Sequence, residues 1–188
     1  STLANILRKN YLYVDKTEYV HRLISTNSRY FLARPRRFGK SLLIDTLKQI
    51  FLGNRELFSD LWIGQEGKHD WIARPVIHLD FSELDWRSVD ALEITLKERL
   101  DRIARSYGVE ADSATAISLL SHLVRALAES EKVVILIDEY DAPILKHIND
   151  LERARAMRDF LSNFYTTVKA LDFHLRFVFL TGVSKFSK

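Results

Sequence analysis

Gly39, Lys40 and Ser41 close a short basic loop, Arg34-Pro35-Arg36-Arg37-Phe38, and open a segment of helical period. Together these residue types suit the binding of nucleotide phosphates. Glycine lets backbone N–H groups approach an anion, the helix start offers its positive end, lysine reaches the β and γ phosphates, and a serine hydroxyl can sit on Mg²⁺. The loop follows the apolar run at residues 30–33, which is the strand–loop–helix context that G-x-x-x-x-G-K-[ST] requires. Arg34 stands where that pattern has its first glycine. The predicted nucleotide contacts are Arg36, Arg37, Phe38, Gly39, Lys40, Ser41 and Leu42.

A second constellation lies far downstream, where Val133-Val134-Ile135-Leu136-Ile137 ends in Asp138-Glu139 and then Tyr140-Asp141. An aspartate at such a strand end can hold the shell of a Mg²⁺ ion, and a neighbouring glutamate can take a proton from an attacking water. Asp138 and Ser41 are therefore the expected metal-side residues, and Glu139 and Lys40 the expected catalytic pair. The competing reading is an ordinary acidic turn at a strand end. Asp141, just before Pro143, reads as a cap or a supporting residue, and Asp80 as either a site or a turn residue. Thr181 ends the last apolar run and is a candidate sensor of the γ-phosphate.

These groups need a scaffold that brings them together. Apolar runs at residues 30–33, 75–81, 133–137 and 175–181 read as strands, and the last three are nearly continuous, as in parallel strands covered on both faces. Helical periods separate them: Leu43, Leu47, Ile50 and Phe51; then Leu92, Leu96, Leu100, Ile103 and Tyr107; then Ile117, Leu120, Val124 and Leu127 behind a cap at Asp112 or Ser113; then Met157, Leu161, Phe164 and Val168 behind Asp150. Residues 11–14 read as extended and 15–24 as a short helix, while residues 53–74 read as loop and short helices with Trp62 and Trp71 in packing roles. Alternating strands and helices imply an α/β fold with a parallel sheet, whose ligands bind beyond the carboxyl ends of the strands.

Length and composition agree. The 188 residues suit one domain, and 47% apolar with 28% charged residues is ordinary for a globular chain. Absence of cysteine excludes disulfides, thiolate metal sites and cysteine nucleophiles. No apolar run approaches the ~20 residues of a membrane span, and the opening segment lacks a signal-peptide pattern, so the expected address is cytoplasmic. The net charge is +3, with Arg29, Arg34, Arg36, Arg37 and Lys40 close in sequence, which leaves a nucleic-acid patch or a solvated basic turn as rivals to a phosphate loop.

The chain resembles the predicted AAA-ATPase-like family of bacterial P-loop proteins, related to archaeal-type and STAND ATPases. The resemblance rests on residues 13–17 (YVDKT), 31–43 (FLARPRRFGKSLL), 75–82 (PVIHLDFS), 135–143 (ILIDEYDAP) and 179–188 (FLTGVSKFSK). It implies a three-layer, additional-strand P-loop fold over residues 1–188, ATP and Mg²⁺ as ligands, and an adenine site around Tyr13 and Val14. It also implies that a further, often nuclease-like, C-terminal module follows. The leading expectation is a domain that uses nucleotide state to switch that module, with nucleic acid and a second copy of the chain as candidate partners. A fifth sheet strand and any γ-phosphate arginine are then expected beyond Lys188. Alternatives are a scaffold locked by nucleotide without turnover, a nucleic-acid-binding module and a small-molecule phosphotransferase.

Overall fold

A computed structural model describes residues 2–9, 11–26, 29–110 and 112–183. The strands are β1 (Arg29–Ala33), β2 (Val76–Asp80), β3 (Val133–Asp138) and β4 (Leu175–Gly182). All pair in parallel in the order β1-β4-β3-β2, so β4 is inserted between the strand that leads into the basic loop and the strand that ends in acid. The helices are α1 (Leu3–Arg8), α2 (Thr17–Ile24), α3 (Lys40–Phe51), α4 (Val89–Ser106), α5 (Ala116–Leu127), α6 (Ala142–Leu145) and α7 (Leu151–Ala170).

Strand alternation gives the sheet two apolar faces, and each face recruits its own helices. Val134, Leu136, Phe177 and Phe179 point to the face covered by α1, α2 and α3. Val133, Ile135, Ile137 and Val178 point to the face covered by α4, α5 and α7. Helical spacing supplies the complementary stripes: Leu92, Leu96, Leu100 and Ala104 on α4, and Met157, Leu161, Phe164 and Val168 on α7, are all buried. Each large buried side chain contributes about 1.5–3 kcal/mol of transfer free energy, which anchors the layers on the sheet.

The helix ends follow local chemistry. Asp150 accepts a hydrogen bond from Arg153 N at 3.1 Å, as its position before α7 predicts. α5 is capped by Thr115, in place of the expected Asp112 or Ser113, because the extended backbone at Thr115 lets its hydroxyl accept from Ser118 N while the Ser118 hydroxyl reaches back. Residues 53–74 contain two 3-10 turns, Arg55–Phe58 and Trp62–Gly64, with Trp62 and Trp71 packed on the α3 side of the core. Helix α1 has too weak a period to stand out in the sequence; its Leu3 is fully buried and donates its N–H to Asp45 Oδ2 on α3 at 2.6 Å.

Candidate nucleotide site at the carboxyl edge of the sheet

The loop after β1 takes an unusual backbone path. Arg34 N donates to Gly182 O at 3.1 Å, so residue 34 simply prolongs the pairing of β1 with β4. Its φ is not positive, and a side chain is tolerated where the common pattern has glycine. The left-handed turns fall later, at Arg37 (φ 67°) and Gly39 (φ 76°). Alternating turns of this kind curl a loop into an anion-binding concavity. Gly39 is needed for its φ, since a Cβ there would meet nothing within 4 Å. It precedes α3 with no side-chain cap, which leaves the helix N-terminus open to a ligand.

Lys40 is the centre of the loop. It is only 4% exposed, and its ammonium donates to Arg34 O at 3.1 Å and Pro35 O at 3.3 Å. The same nitrogen lies 3.3 Å from Glu139 Oε1. Loop and acidic strand end, far apart in sequence, therefore meet across β4. Ser41 is exposed beside them, Leu42 is half-buried against the α3 core, and Phe38 is 68% exposed together with Arg34, Arg36 and Arg37.

Asp138 is 2% exposed and sits opposite Asp80 in the β2–β3 register. Its Oδ1 accepts from the Thr181 hydroxyl and from Glu139 N at 3.0 Å, leaving Oδ2 outside that network. Thr181 is fully buried, so its hydroxyl holds Asp138 and does not project toward solvent. Asp80 Oδ1 accepts from Ser82 N and Ser82 Oγ, which assigns it to the turn. Glu139 itself has φ 49°, a left-handed geometry that costs a residue with a side chain about 1–2 kcal/mol. That turn swings its carboxylate back to Lys40. Asp141 makes no side-chain cap to α6; its Oδ2 accepts from Val183 N at 2.9 Å and ties the end of β4 to the acidic turn.

The segment before β1 reaches α3. Burial, followed by the nearby Asp15, raises the pKa of Tyr13 above the phenol value, while Thr46 of α3 is close enough for its side chain to lower it slightly. Thr46 lies about 9 Å along the helix from Lys40 at 1.5 Å per residue. Val14 is exposed. Asp15 clamps the segment by accepting from Thr17 N at 2.8 Å and Trp62 N at 2.7 Å. Burial pushes the Asp15 carboxyl upward, but these donors outweigh it and its pKa is lowered. Thr17, fully buried, accepts from Ile63 N at 3.1 Å. The anchoring roles of Asp15 and Thr17 were not assigned from sequence, although both lie in the YVDKT stretch.

Arg29 does not join the basic loop. It stands at the opposite end of β1, about 16 Å from Arg34 at 3.3 Å per residue, and it pairs with Asp172 at 2.6 Å. A nucleic-acid reading therefore retains only Arg34, Arg36 and Arg37. Residues 184–188 of the last matched stretch lie outside the described residues. No helix among the described residues is long and apolar enough to cross a membrane.

A parallel α/β sheet with a Gly-Lys-Ser helix start facing an Asp-Glu strand end is consistent with a P-loop-like fold. The chain belongs to the family described as Predicted AAA-ATPase, whose model matches residues 1–188. It is 42% identical over 182 residues to an uncharacterized protein in the vnfD 5′ region of Azotobacter chroococcum mcd 1. The alignment takes in 95% of this chain and 35% of that protein, so the chain spans about a third of its relative's length. No solved structure matches.

Proposed function

We propose that residues 1–188 form an additional-strand P-loop domain that binds ATP with Mg²⁺, hydrolyses it, and uses nucleotide state to switch an attached module. The observation that carries this reading is the Lys40–Glu139 contact at 3.3 Å, which gathers a buried cation and a carboxylate at one helix start.

The residues fit the ligands. Lys40 holds its charge against loop carbonyls, a place that phosphate oxygens can take over with a stronger, charge-assisted bond. Among the described residues no three His, Asp or Glu side chains cluster as metal ligands. A cation here would rely on Ser41, Asp138, water and phosphate, which is how Mg²⁺ is usually held. Bound Mg²⁺ supplies charge neutralisation on the triphosphate. Lys40 adds to this at the β and γ phosphates, backbone N–H groups at the start of α3 orient them, and Tyr13 and Val14 face the base. Glu139, once Lys40 has turned to phosphate, is released to accept the proton of an attacking water. Thr181 keeps Asp138 in place.

Lys40→Ala should abolish ATP binding in isothermal titration, while Glu139→Gln should keep binding and lose turnover. Unchanged ATP affinity in a folded Lys40→Ala protein would remove the phosphate-loop assignment. Wild-type turnover in Glu139→Gln would move the base elsewhere.

A further inference from the structure

A second basic cluster lies at the amino edge of the sheet, where the reading above assigns nothing. Its cavity of about 320 Å³ is lined by His21 of α2, by Lys68, His69, Asp70 and Arg74 of the segment before β2, and by Arg176 of β4. Arg176 is about 17 Å along β4 from Thr181 at 3.3 Å per residue, so this cavity and the phosphate loop occupy opposite ends of the sheet.

Both arginines are held in place before any ligand arrives. Arg176 donates from Nη2 to Ile24 O at 2.8 Å and from Nη1 to Thr26 O at 3.1 Å, closing the end of α2. Arg74 pairs with Glu131 through Nη1, and its backbone N–H donates to Phe51 O at 2.7 Å. A guanidinium carries five N–H donors, so each retains donors beyond these contacts. Lys68 places its ammonium 4.9 Å from the Trp62 ring centre. Groups fixed in this way lose little entropy on binding.

The charges are not balanced. Among the described residues, Lys68, Arg74 and Arg176 are opposed by Asp70 and Glu131, and both carboxylates are substantially exposed, at 63% and 44%. α3 contributes only Phe51 to the lining. Burial lowers the pKa of Arg176, and Arg74 lowers it further. Burial also lowers that of His69, with His21, Arg176 and Arg74 acting in the same direction against Asp70. Like charges thus gather in a partly desolvated space of the size that takes a small molecule.

We propose that this cavity binds a small oxyanion, through phosphate or carboxylate oxygens held between Arg74, Arg176 and Lys68, at a site separate from the phosphate loop. A bound anion would favour the protonated form of His69, which makes that imidazole a local reporter.

The test is an NMR titration of the histidine side chains in the 188-residue protein, with His69→Gln identifying the resonance. Inorganic phosphate, and acetate in a parallel arm, replace chloride at constant ionic strength. The expected result is a His69 midpoint raised by about 0.5 pH unit, equivalent to roughly 3-fold tighter binding to the protonated form. The rise should persist in Lys40→Ala and shrink in Lys68→Glu, with circular dichroism of both variants checking that the fold is kept. A response to phosphate alone defines a phosphate site, and a response to both anions defines a general oxyanion site. An unmoved His69 midpoint in both arms overturns the proposal. So does a shift that Lys68→Glu leaves unchanged, or one that vanishes in Lys40→Ala and therefore reports the phosphate loop.

Discussion

Replacing Thr181 with valine removes the hydroxyl that donates to Asp138 Oδ1 and also accepts, at 3.4 Å, from Glu139 N. The two side chains have nearly the same shape, and Thr181 is fully buried, so packing is preserved while the donor to Asp138 Oδ1 is lost. Asp138 keeps its bond from Glu139 N at 3.0 Å, but a buried carboxylate loses one of two partners. A hydrogen bond to a charged group contributes about 1.5–3 kcal/mol. Unfolding entropy near 60 °C is about 2.1 cal/mol/K per residue, or roughly 0.4 kcal/mol/K for a chain of this length, so Tm should fall by about 4–8 °C. Scanning calorimetry of the nucleotide-free protein at pH 7 measures this directly, and Thr181→Ser, which retains the hydroxyl, should lose less. Affinity for ATP should fall in the presence of Mg²⁺ and hold in EDTA, because the hydroxyl acts through Asp138. A valine variant as stable as wild type would refute the reasoning and return Thr181 to the role of a γ-phosphate sensor.

Gly182→Ala should be destabilising by about 1–3 kcal/mol in urea denaturation, since its Cβ would come within 2.6 Å of the Tyr140 ring and 2.8 Å of Asp141 Oδ1. Tyr140 has little room to yield, with Phe31 at 4.9 Å on one side and Tyr165 at 5.9 Å on another; wild-type stability in Gly182→Ala would contradict this packing. Acid should weaken the fold between neutrality and pH 5.5. Burial lowers the pKa of His69 and His78 below the ordinary imidazole value of 6.5, with like charges adding to the effect. The unfolded chain then takes up protons first, and stability present above pH 6.5 is lost as pH falls through the folded values. Denaturation midpoints should drop over this range and drop less in His78→Gln; a midpoint that rises toward pH 5.5 would show the opposite linkage.

Much of the fold was legible because it is written in local periodicity. Strand bounds at β1, β2, β3 and β4 fall within a residue or two of the apolar runs, and the stripes of α4 and α7 are buried as spaced. α1 was not legible, because a single turn and a half carries little period and Leu3 is held by a distant carboxylate. The cap of α5 lies two or three residues beyond the position that residue types suggest, since Thr115 is selected by backbone conformation as well as residue type.

The residue types in the loop and at the acidic strand end follow from sequence alone, as does their place between strand and helix, because glycine, lysine, serine and carboxylate each carry a chemistry that survives any global arrangement. Tertiary structure decided which of these groups meet. Chain order does not reveal that β4 enters between β1 and β3, and that insertion is what sets Thr181 on Asp138 and lets Glu139 close on Lys40. Arg29, a neighbour of the loop in sequence, is carried to the far end of β1 by the extended rise of the strand. Strand pairing and contacts of this range depend on segments distant along the chain, whereas propensity and period report only on a few residues at a time.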